Sequence, residues 1–283
     1  IIFSRDKEVL SFIWGVLGEN RTERHRMTKI FYKGRYVTYP FENGLSALPK
    51  EDLFFCINEF IRNLVAVEKG EVPPPKTFQD WIYATFGRGI AECYMVPYNQ
   101  KIWKYPPKKM SAHWMEGRVP RPPVEDVIRS AIGIETEGYT HQAVFSYPQN
   151  GGIEALVRAI AGPIEDSIRT GFTVRSVRKR NEKWIIRDDE EEILADRCIS
   201  TIPLHALLPC LENVPVAVTN SCSALRYNSV ACVCLAIRGE VPPYSWVYVP
   251  AEEIGLFNRI SFPSGYSSGN APQGCSSVLA EIT

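Results

Sequence analysis

The chain has 283 residues, 45% of them hydrophobic, which is enough to bury one large core or two moderate ones. Its 32 Lys and Arg balance 32 Asp and Glu, which excludes an overall field that would draw it to nucleic acid or to an anionic membrane. No apolar run approaches the roughly 18 residues of a transmembrane helix, so no membrane span is expected.

Ile1-Ile2-Phe3 reads as the end of a strand, and residues 6–17 as an amphipathic helix with Val9, Leu10, Ile13, Trp14 and Leu17 on its apolar side, closed by Gly18. His25 sits among charged neighbours and reads as a solvated surface residue. Residues 28–39 hold two short apolar runs around Lys33-Gly34, the pattern of a β-hairpin. Residues 53–67 form a second helix, ended by Gly70 and by Pro73-Pro74-Pro75. A long helix is predicted over 77–98, with Thr77 as N-cap, Trp81, Ile82, Phe86, Ile90 and Tyr94 facing inward, and Gly87 and Gly89 weakening its middle.

Beyond it, Tyr98, Lys101 and Trp103 bring aromatic and cationic groups close together. A shallow pocket that stacks a ring and pairs an anion would use these groups, and so would a solvated face. Arg118 and Arg121, separated by Val119-Pro120, are spaced to clamp a phosphate or carboxylate, with a solvated face again the other reading.

Val144-Phe145-Ser146-Tyr147 alternates like a short strand, Asn150-Gly151-Gly152 turns it sharply, and Ile153, Leu156, Val157, Ile160 and Ile164 mark the apolar face of a helix with Asn150 as its N-cap. Glycines there leave the first helical amides uncovered and able to face an electron-rich ligand, or they serve only to pack the helix on its strand. Residues 172–178, 183–187 and 193–199 alternate as a β-meander; the acidic run 188–192 fills its second turn and reads as solvated, because consecutive acids point in different directions. A short helix is expected near 204–211, and strands over 229–237, 245–249, 257–262 and 276–281.

The eight cysteines contain no CxxC pair and lie mostly in apolar runs such as Ala231-Cys232-Val233-Cys234-Leu235, which reads as buried reduced thiols in a cytoplasmic protein, with no metal site. The histidines have no evident partner, and no acid-base pair stands out, so the catalytic residues are left unassigned. Both ends lie inside strand-like runs, and the chain is expected to be a fragment of a longer protein.

The Asn150-Gly151-Gly152 turn with its helix, the meander, and the run 195–203 together resemble the FAD-dependent amine oxidase superfamily, which includes protoporphyrinogen oxidases. Leu225, Tyr227, Ser229 and Val230 before an apolar strand are similar to that superfamily's return into its substrate sheet. A narrower likeness is to UDP-galactopyranose mutases: Tyr98, Lys101 and Trp103 resemble the tyrosine, lysine and tryptophan of their substrate-site motif, Arg118 and Arg121 their diphosphate-side arginine pair, and Lys104 stands where they carry glycine. The resemblance implies an α/β (α+β) fold, a partial FAD-binding domain with a β-meander plus a mixed-sheet and helical substrate domain. It divides the chain into 1–143 (substrate domain), 144–210 (partial FAD-binding domain) and 211–283 (substrate-domain sheet).

By the same resemblance Gly151 and Gly152 lie near the flavin or the substrate, Val174 holds the adenine through its backbone, and Thr201 to Pro203 line the dinucleotide. The family's Gly-x-Gly-x-x-Gly turn would precede Ile1 and its later flavin-binding stretch would follow Thr283, so this fragment is expected to bind FAD weakly or not at all and to be inactive alone. The parent would oxidise an amine or other reduced carbon by hydride transfer to flavin. Alternatively it would isomerise a nucleotide sugar with reduced flavin, or the chain would be a binding module without catalysis. Its partner is expected to be a small-molecule substrate, a nucleotide sugar in the narrower likeness.

Overall fold

Helix α1 (Lys7–Leu17) begins where the Asp6 side chain accepts the N–H groups of Glu8 and Val9, and ends at Gly18, whose φ of 55° turns its N–H back to the Trp14 carbonyl. The computed structural model describes residues 1–115, 121–136 and 143–283, which form two compact units: Ile1–Ile160 with Asn228–Thr283, and Ala161–Tyr227.

In the first unit α1 is followed by β1 (Thr22–His25) and by the hairpin of β2 (Thr28–Tyr32) and β3 (Arg35–Thr38). Lys33 and Gly34 both take positive φ, as a tight two-residue hairpin turn requires. Strand β1, which periodicity did not reveal, pairs antiparallel with β4 (Val144–Tyr147) and leaves His25 exposed. That pairing keeps residues 144–160 with the first unit.

Helices α2 (Lys50–Glu68) and α3 (Phe78–Ile90) cross at close range. A Cβ on Gly89 would lie 2.4 Å from Cys56 Cα, and one on Gly87 2.6 Å from the Glu59 carbonyl oxygen. At Thr77 a capping box forms, Thr77 accepting the Asp80 N–H and Asp80 accepting the Thr77 N–H. In place of one helix over 77–98, the path bends at Gly87 (φ 70°, ψ 172°), passes through a π-helical turn at Ala91–Met95 and continues as α4 (Val96–Trp103). Pro97 sits in the first turn of α4, directly after the π turn. Helix α5 (Val124–Ala131), not anticipated, follows Pro122-Pro123 and buries Val127.

The C-terminal strands, numbered after the three strands of the second unit, are β8 (Ala231–Arg238), β9 (Trp246–Tyr248), β10 (Phe257–Ser261) and β11 (Cys275–Ile282). They join the hairpin in a six-stranded mixed sheet of order β3-β2-β9-β10-β11-β8. Strands β2 and β9 run parallel, Thr28 beside Trp246 and Ile30 beside Tyr248, and the remaining neighbours are antiparallel. One core, including Ile30, Val37, Phe41, Cys56, Phe60, Ile82, Phe86 and Ile90, fills the space between this sheet's hairpin end and the crossing helices.

Strand β8 corrects the expectation about thiols. It is the sheet's edge, all its residues are exposed, Cys232 and Cys234 included, and of the eight free cysteines only Cys56 is buried. The apolar run was read as interior because period alone does not distinguish an edge strand from a covered one.

The second unit carries β5 (Ser176–Arg180), β6 (Lys183–Arg187) and β7 (Glu192–Ala195), the predicted antiparallel meander, with the first strand starting two residues after Val174. Helices α7 (Leu204–Leu207) and α8 (Val216–Ser223) complete it, after α6 (Glu154–Ala161) of the preceding chain. Carboxylates of the acidic run pair separately: Asp189 with Arg175, Glu191 with Arg169, and Glu192 with Arg178 and Arg187. Asp188 caps its own turn, accepting the N–H groups of Glu191 and Glu190, which lowers its carboxyl pKa. Among the described residues no group of three or more His, Cys, Asp or Glu is placed to hold a metal ion, and no helix is long and apolar enough to cross a membrane.

Candidate functional site

The helical path from α3 through the π turn into α4 presents Tyr94 and Tyr98 one above the other, their rings stacked at 5.3 Å and 10°. Phe41, from the short turn after β3, stacks on Tyr94 at 4.8 Å, and Tyr248 of β9 meets Tyr98 edge-on at 5.3 Å. Tyr39 leans on Tyr248 at 5.1 Å. Farther along α4, Trp103 donates from Nε1 to Asn99 Oδ1 at 3.2 Å and packs edge-on against Trp114 at 5.7 Å. These rings, with Glu42 and Ile102, wall a pocket of about 190 Å³.

Burial first, then neighbouring phenols, raises the pKa values of Tyr39, Tyr94 and Tyr98, so these hydroxyls stay protonated and act as hydrogen-bond donors. Glu42, 3% exposed, places a carboxylate in the same wall. Two indole donors, Trp114 Nε1 in the wall and Trp246 Nε1 on the neighbouring sheet face, are buried with no acceptor among the described residues; a buried donor left unpaired costs about 1–3 kcal/mol.

Of the predicted substrate-site residues, Tyr98 and Trp103 come together in this pocket. Lys101 does not. It projects from the other side of α4, is 1% exposed, and donates to the carbonyl oxygens of Val249 (3.0 Å) and Ala251 (2.7 Å). Desolvation, with Lys104 close by, pushes its pKa below the usual lysine value. The physical reason is tertiary: Lys101 lies only one helical turn from Tyr98, but the carbonyl oxygens of Val249 and Ala251, just after β9, take its ammonium into the sheet. Arg121 is exposed ahead of α5 and is not among the pocket's walls, and Arg118 lies outside the described residues. Lys104 adopts φ 48°, ψ 28°, the left-handed conformation that glycine favours at a helix end.

At the glycine turn, Gly151 and Gly152 take φ of 79° and 61°. Asn150 does not cap α6, which begins at Glu154. Instead its N–H donates to Asn20 Oδ1 (2.8 Å) and its carbonyl accepts from Asn20 Nδ2 (3.1 Å). Gly151 is exposed, and the first inward bonds of the helix are Ala155 N–H to Gly152 O and Leu156 N–H to Ile153 O. In the second unit the Val174 carbonyl accepts from Cys210 Sγ at 3.5 Å, and Thr201 and Pro203 are exposed just ahead of α7.

Sequence reasoning missed Tyr39, Glu42, Trp114 and Tyr248. Tyr39 and Glu42 flank a Tyr-Pro-Phe-Glu run whose chemical density was a usable signal. Tyr248 had none beyond strand alternation, because the parallel pairing of β2 with β9 brings it in.

The profile of the flavin-containing amine oxidoreductase family matches residues 22–280. Among solved structures, a reduced UDP-galactopyranose mutase is similar over 100% of this chain, at 27% identity and a TM-score of 0.88. A protein from Exiguobacterium provisionally named a protoporphyrinogen oxidase matches over 98% of the chain at 16% identity and a TM-score of 0.67. A putrescine oxidase bound to putrescine matches over 99% at 13% identity and a TM-score of 0.57. The chain spans 62% of the mutase and 63% of each of the other two.

Proposed function

The chain belongs to the flavin-containing amine oxidoreductase family, and we propose that it is the substrate-pocket segment of a flavoenzyme that isomerises a nucleotide sugar. The observation that carries this reading is the aromatic box around Tyr98 and Trp103, in a chain similar along its whole length to a UDP-galactopyranose mutase. At about 190 Å³ the box is below the roughly 300–1,000 Å³ of drug-sized ligand sites, so it takes one ring of the ligand and not the whole. Tyr98 and Trp103 stack that ring, and the protonated phenols of Tyr39 and Tyr98 donate to its oxygens. Arg121, together with Arg118, serves the diphosphate in the complete protein.

FAD, when bound, supplies the electron pair for the chemistry. The described turn suits a flavin edge, because glycines at positive φ put no side chain over the amides of Gly151 and Gly152. In this reading Val174 holds the adenine through its backbone, and Thr201 and Pro203 line the dinucleotide. This chain by itself binds FAD weakly or not at all; a flavin absorbance band in the purified protein would overturn that statement.

The second reading, oxidation of an amine or other reduced carbon, is favoured by the family match and by a pocket whose walls are mostly apolar rings. Titration with UDP, followed by fluorescence of Trp103 and Trp114, separates the two. Saturable quenching is expected, weakened roughly tenfold by Tyr98→Ala, since stacking on one aromatic ring contributes about 1–3 kcal/mol. If UDP gives no saturable signal while putrescine does, the nucleotide-sugar reading fails and the oxidation reading stands.

A further inference from the structure

The face of α2 and the π turn that points away from the aromatic box borders a second cavity of about 710 Å³, walled by Tyr32, Lys33, Asp52, Phe55, Cys93 and Pro250 among others. Cys93 reaches this cavity, and behind it the fully buried Cys56 belongs to the core against which Cys93 packs. The close approach of the helices permits that contact: Gly89, one turn before Cys93, lets the α3 backbone lie directly on Cys56. Around the pair, Lys33 Nζ holds Asp52 at 2.8 Å, and the Tyr32 hydroxyl donates to the same carboxylate at 3.2 Å.

This is a thiol with an open side, a buried thiol packed behind it, and an ammonium and a phenol lining the same cavity. We propose that Cys93 and Cys56 form a peroxide-reactive dithiol, Cys93 attacking a hydroperoxide that enters the cavity and Cys56 resolving the product to a disulfide. In the first step the Cys93 thiolate sulfur attacks the terminal, OH-bearing peroxide oxygen, the O–O bond breaks, hydroxide leaves from hydrogen peroxide or alkoxide from an organic hydroperoxide, and Cys93 is oxidised by two electrons to S–OH while the peroxide is reduced. In the second step the Cys56 sulfur displaces that hydroxyl, the S–S bond forms, and the Cys56 proton leaves with the hydroxyl as water.

The division of roles follows from burial. Of the two thiols only Cys93 lines the cavity, and Cys56 is fully buried. Hydrogen bonding from Cys56, opposed by burial and reinforced by Tyr32, lowers the Cys93 thiol pKa and favours the reactive thiolate. The disulfide would tie α2 to the π turn, whose Tyr94 stands in the wall of the aromatic box. The inference is independent of what that box binds.

The test uses the wild-type chain. After treatment with hydrogen peroxide and trapping of free thiols, peptide mapping is expected to show a Cys56–Cys93 link that dithiothreitol reverses, while Cys232 and Cys234 are recovered free. In Cys56→Ala, which keeps a small apolar side chain in the core, dimedone is expected to label Cys93 at least about tenfold faster than either exposed β8 cysteine. Recovery of Cys56 and Cys93 as free thiols once the exposed cysteines are oxidised would overturn the proposal, as would equal dimedone labelling of Cys93, Cys232 and Cys234.

Discussion

Replacing Lys101 by Met keeps the length of the stem and deletes an ammonium that holds the carbonyl oxygens of Val249 and Ala251. Each charge-assisted bond contributes about 1.5–3 kcal/mol. Against their loss stands the desolvation cost that Met does not carry, of which the lowered lysine pKa is the sign. The balance is a destabilisation of about 2–3 kcal/mol, because one buried and one part-buried acceptor are left without a donor. In thermal melts followed by circular dichroism this corresponds to a fall in Tm of about 4–12 °C. In the folded protein at low temperature, UDP affinity is expected to change by less than about twofold, equivalent to about 0.4 kcal/mol, because the ammonium is directed away from the box. A variant that melts like wild type yet loses ligand affinity would refute the assignment of Lys101 to the sheet and return it to the substrate.

Gly89→Ala should destabilise by about 3 kcal/mol or more, since the new Cβ meets Cys56 Cα at 2.4 Å and the Phe55 carbonyl oxygen at 2.5 Å, both backbone atoms that cannot rotate away; urea unfolding midpoints would check it. Lys104→Gly should raise stability by about 1 kcal/mol, because the residue already occupies left-handed backbone space, and a lower melting temperature would contradict the assignment. Asp80→Ala should cost about 1 kcal/mol at neutral pH through loss of the capping box. The backbone hydrogen bond from Thr77 holds the folded carboxyl pKa below the ordinary 3.8, so the difference between Asp80→Ala and wild type should persist above 3.8 and shrink as pH falls through the folded value. A gap between the two melting curves that is unchanged down to pH 2 would show that the cap is not the source.

Much of the fold was legible because it rests on local periodicity. The helix after Asp6, the cap at Thr77, the Lys33-Gly34 turn, the meander and the strands β9 to β11 each follow from residues within one element. The likeness to flavin-dependent amine oxidases rested on such local pieces in order, and the family match and the fold agree with it. Helix α5 was not legible although Val124, Val127, Ile128 and Ala131 carry helical spacing, because its eight residues are shorter than the window over which helical periodicity stands out.

What the chain's own order of residues determined is therefore which segments are helix or strand, where the turns fall, and that aromatic chemistry gathers near Tyr98 and Trp103. Tertiary structure alone decided that Lys101 belongs to the sheet, that Tyr39 and Tyr248 join Tyr98, that Cys232 and Cys234 stand on an open edge, and that Cys56 meets Cys93. The reason is geometric. Periodicity specifies which side chains share a face of an element, but what that face meets depends on strand order and helix crossings set by residues far away in the chain.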